Sequence, residues 1–163
     1  MYMIMMISLA LIFVLFIESS VYADTSCPDA WVAYKGSCYL FAHDQSQTFT
    51  EAEHFCNQHS SHLVHINDVH ENNFLQQFLT HFTSNDWWIG LSDTVIESEY
   101  KWIDSNTIAD YVEWGPHEPN NNHNEDCCII NRQEGFKWAD VKCSLQFQPI
   151  CEKNVANENE IIG

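Results

Sequence analysis

Glu118-Pro119-Asn120, Glu125-Asp126-Cys127 and Trp138-Ala139-Asp140 are three short runs whose reading decides the fold of this chain. Between residues 118 and 140 they gather carboxylate and amide side chains, and Pro119 restrains the backbone between the first two. Hard cations such as calcium take roughly six to eight oxygen ligands, drawn from carboxylates, amides and carbonyls. A loop this rich in Asp, Glu and Asn, bracketed by Cys127 and Cys143, therefore predicts a calcium site. An oxygen-only donor set argues against zinc, which favours Cys and His.

Working outward, Cys27-Pro28-Asp29-Ala30-Trp31 leads through Tyr34, Gly36, Ser37, Cys38 and Tyr39. Thr50-Glu51-Ala52-Glu53 leads to Cys56, Trp88-Ile89-Gly90-Leu91 lies mid-chain, and Cys143 to Cys151 closes the pattern. Taken in order from about residue 27 to 152, these motifs resemble the long form of the C-type lectin domain. The resemblance implies an α+β fold with two helices, small antiparallel sheets and a long calcium-binding loop, stapled by disulfides. It also implies the pairing Cys27–Cys38, Cys56–Cys151 and Cys127–Cys143, which leaves Cys128 over.

Carried across residue by residue, the family's principal calcium site falls on Glu118, Asn120, Glu125 and Asp140. Ala139 stands where a second Asn is expected, so one ligand oxygen and one sugar hydrogen bond are missing there. An auxiliary calcium site falls on Asp93, Glu97, Asn121, Glu125 and Asp126, all of which carry oxygen donors. In this family the cation accepts two adjacent sugar hydroxyls while its ligands hydrogen-bond to them, so Glu118, Asn120, Glu125 and Asp140 double as the sugar-binding residues. The order Glu then Asn is associated with mannose, fucose and N-acetylglucosamine rather than galactose. Pro119 resembles a family proline preceded by a cis peptide, which X–Pro bonds tolerate.

Composition agrees with an extracellular setting. Residues 1–17 are almost wholly apolar and lead to Ala23, which predicts a secretory signal over 1–23 cleaved after Ala23. The n-region has no Lys or Arg, and a membrane anchor is the alternative, but Leu9 to Ile17 is short against the roughly 20 residues a span requires. Residues 24–153 then form one lectin-like domain, and 154–163 a polar tail. Seven cysteines in a short secreted chain predict a disulfide framework. The odd one, Cys128, is expected to be a free buried thiol or a bridge to a second copy. A net charge of −17 with only six basic residues disfavours nucleic acid and anionic membranes as partners.

Thr48-Phe49-Thr50-Glu51 reads as a capping box opening a helix. A second helix is expected from Asp68, with Phe74, Leu75, Phe78, Leu79 and Phe82 as its apolar stripe. Trp87 to Leu91 reads as a buried strand, and Tyr100–Ile103 and Phe136–Trp138 as short ones. Residues 104–126 lack periodicity and read as a long ordered loop, of the kind that is usually functional. Trp88, Trp102, Trp114 and Trp138 are expected in the core.

Enzymatic classes find little support. His70-Glu71-Asn72-Asn73-Phe74 lacks the second His of a zinc-protease helix, and Gly-x-Ser-x-Gly does not occur. His54, His59, His62 and His65 read as surface residues, while His117 and His123 flank the acidic loop and can make it pH-sensitive. The reading is a secreted, calcium-dependent lectin for terminal mannose-type sugars on glycoproteins or cell surfaces, by analogy in innate-immune or host–pathogen recognition. Ala139 keeps alive a rival, a lectin-like module that has lost sugar binding and engages protein partners.

Overall fold

A computed structural model describes residues 27–82 and 86–155. The expected signal segment and most of the polar tail lie outside the described residues. The chain runs β1 (Val32–Tyr34), β2 (Ser37–Phe41), α1 (Phe49–Gln58), β3 (His62–Leu63), α2 (Val69–Leu79), β4 (Trp87–Ser92), β5 (Lys101–Trp102), β6 (Cys127–Asn131), β7 (Lys137–Val141) and β8 (Gln148–Asn154). The strands form one sheet in the order β1-β2-β8-β4-β6-β7, with β3 on β8 and β5 on β4. β4 and β8 pair in parallel, and every other named pairing is antiparallel.

Both helices start where local chemistry predicts. The Glu51 carboxylate accepts from the Thr48 amide at 2.9 Å and from its hydroxyl at 2.7 Å, which holds the α1 entry. Asp68 caps α2, accepting from the His70 and Glu71 amides at 2.7 and 2.8 Å. The α2 stripe buries Leu75 and Leu79 and half-buries Phe74, Phe78 and Phe82 against Tyr39, Phe41, Trp87 and Ile150.

Side chains alternate across β4, so neighbouring tryptophans serve different clusters. Trp87 packs with Leu75, Leu79, Trp102 and Trp138 under α2. Trp88 packs with Phe49, Ala52, Cys56, Leu63 and Ile129 under α1. Trp138 donates its indole N–H to Asn72 Oδ1 at 3.0 Å, and Trp88 donates to the Gln47 carbonyl at 2.8 Å. Trp88, Trp102 and Trp138 are buried, and half-buried Trp114 packs edge-on to Tyr100 and Trp138. The expected tryptophan core is the one observed.

The three disulfides are Cys27–Cys38, Cys56–Cys151 and Cys127–Cys143, as the family resemblance implied. Cys56–Cys151 ties α1 to β8 across a separation of 95 residues, which stabilises by about 4–5 kcal/mol in the chain-entropy account. Cys127 sits in the cluster under α1, whereas Cys128, next along β6, sits in the cluster under α2.

Of the two outcomes expected for Cys128, this placement favours the free buried thiol over the bridge to a second copy. Its sulfur is fully buried, and burial pushes its thiol well above the usual range, so it is neither accessible nor reactive in the folded domain. The protein is expected to run as a monomer on non-reducing electrophoresis. Its one thiol should react with an alkylating reagent only after denaturant is added. Rapid alkylation of the native protein would overturn this.

Candidate functional site

Residues 104–126 contain no named strand, yet their lower half is tightly organised around one residue of β7. Asp140, only 2 % exposed, accepts from the Asn120 amide at 2.9 Å, from the Asn121 amide at 2.7 Å and from the Tyr100 hydroxyl at 3.1 Å. Glu118 lies beside Asp140 and accepts from Asn120 Nδ2 at 2.8 Å. Asn120 Oδ1 and Glu125 Oε2 both accept from the Asn122 amide, at 2.9 and 3.1 Å. The Glu118–Pro119 peptide is cis. Glu118, Asn120, Glu125 and Asp140 therefore belong to one hydrogen-bonded network.

The second predicted set adjoins the first through Asn121. Its side-chain amide donates to Glu97 at 2.8 Å, and its Oδ1 accepts from the Glu125 amide at 2.9 Å. Asp93, at the end of β4 and 3 % exposed, accepts from the Ser98 amide at 2.8 Å, and its own amide donates to the Asp126 carbonyl at 3.1 Å. Asp126 accepts from Asn124 Nδ2 at 2.7 Å.

The electrostatics of the cluster are those of crowded acids. Burial, followed by the hydrogen bond and charge of Asp140, pushes Glu118 up to about 7. Burial also acts to raise Asp140, but the hydrogen bonds from Glu118, the Asn120 and Asn121 amides and Tyr100 outweigh it and hold Asp140 below the usual range. Burial raises Glu125, opposed by the Asn122 amide. Burial raises Asp93 too, with the charges of Glu97 and Asp126 adding to it.

These residues fit a hard cation in donor chemistry. All are oxygen donors, and Asp93 Oδ1 is buried with no hydrogen-bond partner, a position that a cation would satisfy. In the present arrangement the side chains are turned towards amide donors instead of one common point. Among the described residues, no three Asp, Glu, His or Cys side chains are set to hold a metal ion.

Ala139 stands at the position where the family resemblance expects a second Asn. It pairs with Ile129 and is 3 % exposed within the cluster under α1, while Asp140 pairs with Cys128, which lies in the cluster under α2. Strand alternation sends the two side chains to opposite faces. Tyr100 was missed as a site residue, because nothing in its local sequence says that its hydroxyl reaches a carboxylate 40 positions away. His117 and His123 are exposed residues of the loop with positive φ. His54, His59, His62 and His65 each hydrogen-bond to a different group, respectively Gln58, the Phe55 carbonyl, the Leu63 carbonyl and Asp104.

The chain belongs to the C-type lectin family: residues 45–153 match the family model of the lectin C-type domain. It is 36 % identical over 128 residues to the human protein named C-type lectin domain family 17, member A, covering 78 % of this chain and 32 % of that one. It thus spans about a third of that relative's length. Among solved structures, the mouse scavenger receptor C-type lectin carbohydrate-recognition domain is 34 % identical with a TM-score of 0.73, covering 80 % of this chain and 98 % of that one. The cow carbohydrate-recognition domain of CD23, solved in the presence of a GlcNAc2Man3 oligosaccharide, is 31 % identical with a TM-score of 0.72, covering 80 % and 98 %. Among the described residues, no helix is long and apolar enough to cross a membrane.

Proposed function

We propose that this domain is a secreted, calcium-dependent lectin for terminal mannose-type sugars, serving glycan recognition in an innate-immune or host–pathogen setting. The observation that carries the reading is the Glu118–Asn120–Glu125–Asp140 network, anchored on one buried strand carboxylate. Asp93, Glu97, Asn121, Glu125 and Asp126 supply the donors of a second, loop-ordering calcium position. Calcium, when bound, offers coordination to two adjacent sugar hydroxyls. Glu118 then accepts a hydrogen bond from one hydroxyl, and the Asn120 amide donates to another. Asp140 fixes the backbone of residues 120 and 121, so the loop pays little ordering entropy when sugar arrives. The cow CD23 domain, whose structure was determined with a mannose-containing oligosaccharide, supports the sugar class. Retention on immobilised mannan in calcium, with release by chelator, tests the reading.

One observation favours a second reading. Ala139 stands where the family resemblance expects a ligand Asn, yet it carries no side-chain oxygen and is buried on an apolar face of β7. A lectin-like module engaging protein partners is then the outcome if neither calcium nor mannose gives heat on titration.

Calcium affinity should rise with pH through neutrality. Glu118 lies above its ordinary value of 4.5, at about 7, so the cation-free fold holds a proton there and gains stability as pH falls from about 7 towards 4.5. Calcium requires the ionised carboxylates, so its binding expels that proton and weakens on acidification. Calorimetric titrations at pH 7.5 and 5.5 should differ on the order of tenfold or more in affinity. Equal affinities would remove Glu118 from the ligand set. In the same reading, chelator should lower the melting temperature at pH 7.5.

A further inference from the structure

Two glutamates outside the acidic loop, Glu71 of α2 and Glu152 of β8, are 6 % and 5 % exposed and meet at the hydroxyl of Tyr39 in β2. The hydroxyl donates to Glu71 Oε1 at 2.7 Å and lies 3.5 Å from Glu152 Oε1. A phenol has a single proton, and the shorter contact commits it to Glu71. Glu152 Oε1 therefore faces an oxygen that offers it only lone pairs. The outer oxygens are held by neutral donors: Glu71 Oε2 accepts from the Asn67 amide at 2.8 Å and side chain at 3.2 Å, and Glu152 Oε2 from the His65 amide at 3.1 Å.

Among the described residues, no Lys or Arg forms a salt bridge with either carboxylate. Lys35 lines the same small cavity, but its ammonium lies 3.9 Å from Asp68 and over the Tyr34 ring. Lys153 lies over Trp31 and donates to the His59 carbonyl. The His65 ring is held by Asp104 and stacked on Trp102. His62, opposite Glu152 in the β3–β8 register, bonds through Nδ1 to the Leu63 carbonyl, and its charged form would favour an ionised Glu152. The Ser37 hydroxyl, also beside the pair, donates to Asn154 Oδ1 at 3.4 Å.

We propose that in mild acid the folded domain takes up a proton on Glu152, which donates from Oε1 to the Tyr39 oxygen, so that Glu71–Tyr39–Glu152 is a latch that tightens on acidification. The proton converts a contact between two acceptors into a buried hydrogen bond joining β2, α2 and β8. Burial first and the charge of Glu71 second raise Glu152, and they outweigh the His65 amide, the Ser37 hydroxyl and the His62 charge, which act to lower it. A carboxyl whose folded value is raised contributes stability that grows as pH falls through that value towards the ordinary one, and it is lost as pH rises. Mild acid then firms the scaffold; resting on the calcium reading above, the same acid loosens the ion, so ligand would leave without the domain unfolding.

The direct test is carbon-13 NMR titration of the Glu152 side-chain carboxyl in the full protein, in chelator. Its midpoint should lie clearly above the usual glutamate value of about 4.3. An ordinary midpoint overturns the proposal. Glu152→Gln supplies a neutral amide that can donate to Tyr39 and accept from His65. At pH 8 it should melt on the order of a few degrees above the natural protein, with the gap closing by pH 5. Other raised carboxyls are present in both proteins, so the difference isolates Glu152. A variant less stable by the same margin at both pH values overturns the latch. Both measurements are made without calcium, so failure of sugar binding leaves them unaffected, and their failure leaves the lectin reading standing.

Discussion

Gly90→Ala is expected to destabilise the domain by about 3 kcal/mol or more, at or beyond the usual upper range for overpacking. Gly90 lies mid-way along β4, and an added Cβ would stand 2.8 Å from the Leu63 carbonyl oxygen and 3.2 Å from that of Val64. Neither side can retreat. The Gly90 amide donates to Val64 at 2.9 Å, the Gly90 carbonyl accepts from Ile103 at 2.9 Å, and Leu63 is paired with disulfide-bonded Cys151. Gly36→Ala is the informative control. A Cβ there meets nothing within 4 Å, but φ is +88°, so only backbone strain of about 1 kcal/mol is expected. Urea midpoints measured side by side decide the matter, and equal losses for the two variants would mean that β3 yields to β4 after all.

Asp140→Ala is expected to detach the 118–126 loop from β7 and to abolish calcium and sugar binding together. Three donors lose their acceptor at once: the Asn120 amide, the Asn121 amide and the Tyr100 hydroxyl. A hydrogen bond to a charged group contributes roughly 1.5–3 kcal/mol, and the loop amides regain water when released, so a net loss on the order of 3 kcal/mol is expected. Removing the neighbouring carboxylate should also bring Glu118 part of the way back from about 7, burial being the larger cause of its shift. Denaturant midpoints in chelator measure the anchoring role, and mannose titrations in calcium measure the binding role. A variant that keeps its mannose affinity would place the sugar elsewhere. Faster hydrogen exchange at residues 120 and 121, even in chelator, identifies the loop as the part released.

The local features were legible because their physics is local. Thr48 with Glu51 and Asp68 with the His70 and Glu71 amides satisfy helix ends within a few residues, so spacing alone locates both helices. The apolar run Trp87 to Leu91 announces a strand buried on both faces, and the structure extends it to Ser92. Tyr100–Ile103 contracts to Lys101–Trp102, whereas Phe136–Trp138 becomes Lys137–Val141, whose pairing with β6 carries it through Asp140. β6 went unread as an element. Cys127, Cys128, Ile129 and Ile130 are all buried because the two clusters flank them, and that removes the alternation by which a strand is recognised. Disulfide pairing and the identity of the acidic positions came from the family resemblance, since spacing alone leaves several pairings open.

Side-chain direction belonged to the tertiary structure. The β6–β7 register sends Asp140 towards the face of Cys128 and Ala139 to that of Ile129, so neighbours in one motif have different surroundings. Sheet order likewise brings Tyr100 to Asp140 and Glu152 to Glu71, across separations that no sequence period encodes. What the sequence determined by itself was which residues carry oxygen, sulfur and apolar surface, and where helices begin, since capping and periodicity act within a turn or two. Which of those groups share a cluster, which are buried together and which face each other across a strand was decided only by long-range pairing, because burial depends on what the rest of the chain brings to that face.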